Sequence, residues 1–510
     1  MDSSVQSAVD ERVGTSSIRR VYSDRWLFAL FAVLALAAVL RIYQLGTENM
    51  WIDEGLSLKD ASAGFTVQKA SRPLYFWILS PWMHLGQSDW LLRVPSVIFD
   101  LVTVAVIFLL ARKIWGMKAA VVAGLLIAVS PLHVDHSQEV RMYTLLALTG
   151  IGTFYFFVNA LKSGRTIYIV GCVVCFLMAL LTHAVAIVLL VPMNLIVFWT
   201  YRRDWKRLLP WVVFELVVLA IWFPRWPYVA SFGTGYSSQA YLDQMYKPKL
   251  FDIPVIWGKF GISEWGGGGR LINALCYVYT VGAALLLAYL VWADRKRPET
   301  KWAAVWLLAP TVAVFLMSVV DVNIWVIRYL MFISPIYFLL LGAAVSRFRN
   351  KTVFAVLCLF LLIPAAGKLA RYYLITNRPQ WKLAVEYIKE RERPSDTIAI
   401  YRHSVGNIFD HYYDGKSKWH AVWSEDFLKD RTAEFDPWNE EKAIKLIETM
   451  PAEKRQWLVL SRLPRKSMEY IKPAIKSRCR VLASREFKEI SVYLLERPVS
   501  PSAKTAVGYP

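Results

Sequence analysis

Two stretches of the 510-residue chain carry side chains suited to moving protons. The first is Met50-Trp51-Ile52-Asp53-Glu54-Gly55, where a pair of carboxylates follows two apolar residues. An Asp-Glu pair is ordinarily a solvated turn. Here Trp51 and Ile52 predict that the pair is held at an apolar surface. Partial loss of water there raises a carboxylate's basicity and suits it to take a proton from a hydroxyl. The second stretch is Ser130-Pro-Leu-His133-Val-Asp135-His136-Ser-Gln138-Glu139-Val-Arg141-Met-Tyr143. If it is helical, His133, His136 and Glu139 fall near one face. That set could hold a divalent metal, although short polar loops also cap helices. Arg72 and Arg328 could meet an anionic head group, although most such arginines simply snorkel to an interface. The run Trp265-Gly-Gly-Gly-Gly-Arg270 lacks the Gly-Lys-Ser/Thr of a phosphate loop and reads as a flexible lid or spacer.

The elements that must position these residues are set by composition. Hydrophobic residues make up 56% of the chain, charged residues only 19%, and 22 residues are Trp. Mean hydropathy is +0.37. Apolar runs long enough to cross a bilayer, about 18 residues or more, recur along the sequence. A soluble enzyme is excluded. So is a β-barrel, whose strands alternate in short segments. The net charge of +20 fits cytoplasmic loops and anionic lipid better than nucleic acid. The five cysteines lie nearly all inside apolar runs, so neither a disulfide framework nor a redox role for Cys172 and Cys175 is expected.

Eleven spans are expected, at about 26–45, 94–111, 119–132, 142–161, 167–181, 184–200, 208–224, 272–292, 302–320, 329–346 and 352–370. The first is too long, and lacks the small-residue cleavage pattern, for a removable signal. Segment 73–92, short and broken by Pro81, reads as a helix lying in the interface. One set of loops, with Arg19, Arg20 and Arg25 of the N-terminal tail, holds nineteen Lys and Arg against eleven in the longer loops of the other side. The basic side is cytoplasmic by the positive-inside rule. This places a disordered tail (1–25) inside and a membrane domain at 26–371, with outer loops 46–93, 132–141 and 225–271. Residues 372–510 then form an extracytoplasmic domain of a multi-pass protein of the cell (inner) membrane. In that last part 397–401, 456–461 and 492–496 read as strands, and 379–392, 438–450 and 464–476 as helices. A small α/β domain follows. It holds neither a phosphate turn nor a nucleophile elbow, and no internal repeat is evident.

Taken in order, W-I-D-E-G, R-P-L-Y-F-W, R-V-P-S, A-R-K-I-W-G and S-P-L-H-V-D-H-S-Q-E-V-R-M-Y resemble the GT-C membrane glycosyltransferases. The closest branch is the group of protein O-mannosyltransferases and lipid A aminoarabinose transferases, and the strong match covers about residues 46–150. Arg328-Tyr329 before a late span and the outer domain after the last span are similar too. The resemblance implies an α-helical GT-C architecture and an inverting transfer, on the outer face, of a hexosyl or pentosyl group from a polyprenyl-phosphate donor to an acceptor hydroxyl. It implies three catalytic carboxylates: Asp53 as the base, Glu54 as its pair and Glu139 as a further acidic group of the second loop. Arg72 and Arg328 become candidates for the donor phosphate, and Tyr75, His136, Gln138, Arg141 and Tyr143 for substrate binding. Relatives show His-Pro-Pro where Ser71-Arg72-Pro73 stands here, and His133, Asp135 and His136 have no secure counterpart.

The chemistry agrees. Such a transfer needs a base for the acceptor and cations for the departing phosphate. A single displacement requires no covalent sugar–enzyme intermediate and no cofactor, while a divalent metal could assist. The expected partners are the lipid-linked donor, a lipid, glycan or protein acceptor, and membrane lipids, with no nucleic acid. A transporter or flippase of lipid-linked sugars is the first rival. Transporters concentrate ionisable groups in mid-span, and here Asp100 and Glu215 are the exceptions in nearly charge-free spans. An oligosaccharyltransferase is the second, and no Trp-Trp-Asp-like triplet in the outer domain supports it.

Overall fold

The computed structural model describes residues 25–63, 73–225, 247–263, 270–320, 324–375, 378–401, 403–422, 438–450, 455–461, 463 and 466–497. Helices stand at all the expected spans. Among the described residues, seven are long and apolar enough to cross a membrane: Arg25–Ile42, Asp89–Trp115, Tyr143–Ser163, Ala184–Tyr201, Arg270–Ala293, Pro298–Val319 and Lys351–Leu374. Met117–Ala128 and Pro131–Ser137, bent by 56° at their junction, make an eighth if taken together. Thr166–Thr182, Trp205–Trp222 and Ser334–Ser346 are helical at the remaining three expected positions. Their lengths of 17, 18 and 13 residues sit at or below what a full crossing needs. Exposed Phe28, Val39, Leu285 and Ile363 show apolar faces turned outward, as lipid-facing helices require.

Several boundaries move for local reasons. The second long helix starts at Asp89 rather than near residue 94, because Ser88 caps it by accepting from Leu91 N–H at 3.3 Å. The third span stops at Ala128, where Ser130-Pro131 opens a new short helix with its own cap. The segment at 73–92 is split rather than continuous. Its helix Pro73–Trp82 ends in a 3-10 turn, and the Trp82 indole donates to the Leu91 carbonyl at 2.8 Å across the reversal.

The helices share two ends, and side chains sort them. At one end the Trp115 indole reaches Asp294 at 3.1 Å and Thr300 at 3.3 Å. Arg347 meets the same Asp294 at 2.7 Å, and Arg297 donates to the Ile114 carbonyl at 2.6 Å. Lys113 reaches Asn159, Lys162 pairs with Glu299, and the Tyr201 hydroxyl reaches the Leu161 carbonyl. These contacts gather the basic loops whose charge the sequence had set apart. The acidic loops gather at the opposite end.

Inside the bundle a polar chain crosses four helices. Asp100 accepts from the Arg41 guanidinium at 2.6 Å and lies 2.7 Å from His133 Nδ1, while His133 Nε2 is 2.9 Å from Ser334 Oγ. Arg41 also donates to the carbonyls of Ala37, Ile127 and Ala128. The carbonyls freed at the 56° bend thus have a donor, and the mid-span carboxylate has partners on both oxygens. Asp100 is consumed by architecture.

The C-terminal region holds a five-stranded sheet in the order β2-β1-β3-β5-β4. The strands are β1 Thr397–Tyr401, β2 Lys418–Val422, β3 Arg455–Ser461, β4 Arg480–Phe487 and β5 Ile490–Glu496. β1 runs parallel to β2 and β3, and β5 is antiparallel to β3 and β4. Val385, Ile388, Ile408 and Phe409 cover one face, and Ala443, Leu446, Ile471 and Ile475 the other. The two strands absent from the sequence expectation, β2 and β4, are the edges. Their residues are mostly exposed or half-buried, so they lack the apolar run that marks an inner strand. The helix His403–Tyr412 was likewise not expected, and it packs against the helix Ile52–Ser62 of the membrane domain.

Candidate active site

The Asp-Glu pair opens a helix, Ile52–Ser62, with both carboxylates in its first turn, where the helix dipole favours them. Their fates differ. Glu54 is fully buried and accepts from Arg93 Nε at 3.1 Å, Val140 N–H at 2.9 Å, Trp51 N–H at 3.2 Å and Arg378 Nη1 at 2.5 Å. No oxygen is left for a substrate proton, so the expectation of Glu54 as a reacting group is corrected to a structural hub.

Asp53 remains open. Its side chain is 24% exposed and makes one ion pair, 3.7 Å from Arg141. The Arg141 guanidinium also donates to the Asp53 carbonyl at 2.9 Å and to Ser57 Oγ at 3.1 Å, which fastens the second loop to this helix. Its Nε is buried without a hydrogen-bond partner among the described residues. Tyr143 lies alongside, its hydroxyl accepting from Arg141 at 3.5 Å and its ring 5.5 Å from the guanidinium.

Arg328 enters from the 3-10 turn Ile327–Leu330, with Trp51 and Tyr329 rings beside its guanidinium. Its Nε too is buried without a partner among the described residues. Burial disfavours its charge, but Tyr143, Tyr329 and Asp53 outweigh that and raise its pKa above the usual arginine value, against opposition from Arg141. Two cations whose buried Nε donors have no partner among the described residues therefore act on one partly exposed carboxylate. Arg72, the other arginine singled out in the sequence, lies outside the described residues.

The second loop is only partly helical. Its helix Pro131–Ser137 ends before Glu139, so His133, His136 and Glu139 do not share a face. His133 points into the bundle toward Asp100. His136 Nδ1 lies 3.0 Å from Glu139 Oε2, and its ring sits 5.0 Å from that of Tyr143. Burial opposes ionisation of Glu139, but His136, Arg378 and Arg141 prevail and bring its pKa down from 4.5 to about 2. So weak a base is poorly matched to a hydroxyl proton.

Gln138 and Tyr75, expected to touch substrate, are committed elsewhere. The Gln138 amide donates to the carbonyls of Arg41 and Tyr43 and accepts from the Tyr372 hydroxyl. That ties the first and last spans together. Tyr75 is buried, with its hydroxyl 3.3 Å from Ser96 Oγ.

Asp135, His136 and Glu139 place one ligand atom each within 4.8 Å of one another, with donor types suited to a divalent metal. A metal does not fit them as they stand. The guanidinium of Arg378, with its Nη2 3.2 Å from Glu139 Oε1 and 3.4 Å from Asp135 Oδ1, already pairs with one oxygen of each carboxylate and sets a fixed positive charge beside them. Sequence reasoning missed Arg378 and the anchoring role of Arg93. The one local signal for Arg378 is a basic residue before Pro379, just past the last span.

The first loop is also held from the C-terminal side. Lys382 N–H donates to Asn49 at 2.7 Å, Met50 N–H donates to the Tyr412 hydroxyl at 2.7 Å, and Arg378 N–H reaches Glu48 at 3.3 Å. Asp89 gathers Lys382, His411 and Tyr412.

Solved structures share this arrangement of helices and C-terminal sheet. ArnT from Cupriavidus metallidurans in the apo state matches with a TM-score of 0.60, 14% identity, and coverage of 93% of this chain and 98% of that one. The fold is that of the GT-C membrane glycosyltransferases. ArnT bound to undecaprenyl phosphate matches equally, at a TM-score of 0.60 and 14% identity, over 92% of this chain and 98% of that chain. The archaeal oligosaccharyltransferase AglB from Archaeoglobus fulgidus, in complex with an inhibitory peptide and a dolichol-phosphate, matches at a TM-score of 0.56 with 13% identity, over 92% of this chain and 74% of that chain. A family model described as dolichyl-phosphate-mannose-protein mannosyltransferase matches residues 68–228. That stretch holds Glu139 and Arg141 but not Asp53. No curated protein matches the chain by sequence.

Proposed function

We propose that this GT-C protein transfers a hexosyl or pentosyl group from a polyprenyl-phosphate donor to an acceptor hydroxyl, with inversion, on the extracytoplasmic face. The observation that carries the reading is Asp53, a partly exposed carboxylate paired with Arg141 and within electrostatic reach of Arg328. In the reaction the Asp53 carboxylate takes the proton of the acceptor hydroxyl. The acceptor oxygen forms a bond to the anomeric carbon as the bond from that carbon to the phosphate oxygen breaks. The departing phosphate gains charge, and the guanidinium groups of Arg141 and Arg328 receive it. Both donors are already in place, so little reorganisation is needed at the moment of reaction.

Support for a lipid-borne donor comes from the fold match to an undecaprenyl-phosphate complex and from the mannosyltransferase family model. The basic ends of the helices lie away from Asp53, which by the positive-inside rule supports an outer-face site. Tyr143 is fully buried and His136 nearly so, with Nδ1 on Glu139, so the sugar contact expected of them has no exposed surface behind it. A transporter reading is disfavoured, since the mid-span Asp100 is bound by Arg41 and His133.

The test contrasts two neighbouring carboxylates. Asp53→Asn should retain donor binding and folding while single-turnover release of polyprenyl phosphate falls roughly 10²–10⁴-fold, the usual worth of a general base. Glu54→Gln should instead lower the thermal stability, because it leaves the buried Arg93 and Arg378 short of a counter-charge. Near wild-type transfer by Asp53→Asn would remove it from the mechanism.

A further inference from the structure

We propose that Arg378 is the resident cation of this site, holding by its guanidinium the groups that would otherwise bind a divalent metal. The inference rests on the catalytic reading of the site but concerns a different property of it. Asp135, His136 and Glu139 form a metal-type donor set by residue type and spacing. Arg378 spans it and goes further. Nη2 contacts Glu139 and Asp135, while Nη1 contacts Glu54 at 2.5 Å. Only 8% of its side chain is exposed. A planar fork with fixed donors suits several carboxylates at once, and it stays charged at any physiological pH. A metal ion bound to the same oxygens would sit beside the guanidinium, at a large electrostatic cost in so buried a place.

Arg378 lies beyond the Lys351–Leu374 helix, in the segment leading to the C-terminal sheet, and its N–H donates to Glu48. The C-terminal region therefore supplies the charge that lets Glu54, Asp135 and Glu139 share one pocket. Arg378 is a positioning residue: it acts through Glu54, the anchor of the Asp53 helix, and through Glu139, the partner of His136. Its removal should leave carboxylates and an imidazole without a cation, open to one from solution.

The experiment measures Mn2+ binding to the purified full-length protein in detergent, by electron paramagnetic resonance and calorimetry, beside transfer with and without chelator. Wild type should bind no Mn2+ at this cluster and keep its rate in chelator. Arg378→Gln should bind one Mn2+, and the added change Glu139→Gln should abolish that binding. Arg378→Lys, which keeps the charge, should bind none and retain more activity than Arg378→Gln. If Arg378→Gln misfolds as judged by thermal melting, the arms with wild type and Glu139→Gln alone decide the matter. Wild-type Mn2+ binding that Glu139→Gln removes would overturn the proposal, as would a folded Arg378→Gln protein that gains no site. Metal binding is read without any sugar transfer, so failure of the glycosyltransferase reading would show separately, as absent turnover with the binding pattern intact.

Discussion

Gly55 packs directly against Ile408: a Cβ on the glycine would stand 2.6 Å from Ile408 Cγ1 and 3.2 Å from its backbone nitrogen. The contact joins the helix that carries Asp53 to the helix His403–Tyr412 of the C-terminal region. It explains why glycine follows the carboxylate pair.

Gly55→Ala should therefore push the two helices apart and cost about 1–3 kcal/mol, the range for overpacking a close contact. Transfer should fall because Asp53 moves relative to Arg141. Ile408→Ala removes Cγ1, so the double variant should regain part of the activity lost by Gly55→Ala. A double-variant cycle on melting temperature and turnover checks this, and strict additivity would show that the contact is unimportant.

Arg328→Ala should lower kcat on the order of 10²–10³-fold, the cost of losing one preorganised donor to the charge that develops in the transition state. Arg328→Lys should recover more than Arg328→Gln does. Steady-state rates with a lipid-linked donor measure both. Equal rates for the Lys and Gln variants would assign Arg328 to the interface.

Glu139 gives a pH prediction. Its folded pKa of about 2 lies below the ordinary 4.5, held down by His136, Arg378 and Arg141 against the effect of burial. A depressed carboxylate contributes stability that is fully present above its unfolded pKa and lost as pH falls through its folded pKa. Glu139→Gln should thus destabilise the protein at pH 7, and the gap to wild type should narrow only as pH falls from about 4.5 toward 2. Melting curves across that range check the sign. Activity between pH 5 and 7 should not titrate with Glu139.

Cysteines placed at Met117 and at Glu486 should be labelled from opposite sides of an intact membrane, Met117 from the cytoplasm and Glu486 from outside. An impermeant thiol reagent applied to sealed vesicles of each orientation reads this out. Labelling of both from the same side would break the assignment of Asp53 to the outer face.

Much of this was legible in the sequence because it is written locally. A helix in lipid must be apolar along its own length, so each expected span could be read from a window of neighbours, and a helix stands at every one. The inner strands β1, β3 and β5 announced themselves in the same way, and Asp53 was marked by the residues beside it. Edge strands β2 and β4 carry no such mark, because half of their surface faces water. What the tertiary structure alone decided is which charged groups are spent. Glu54 and Asp53 are neighbours of the same chemical kind, yet Arg378, 324 residues from Glu54, silences one and leaves the other open. His133 and His136 sit three residues apart, but a short helix aims one at Asp100 and the other at Glu139. Hydrophobic burial is read from composition, whereas the pairing of buried charges depends on which distant segments meet, and no local pattern encodes that.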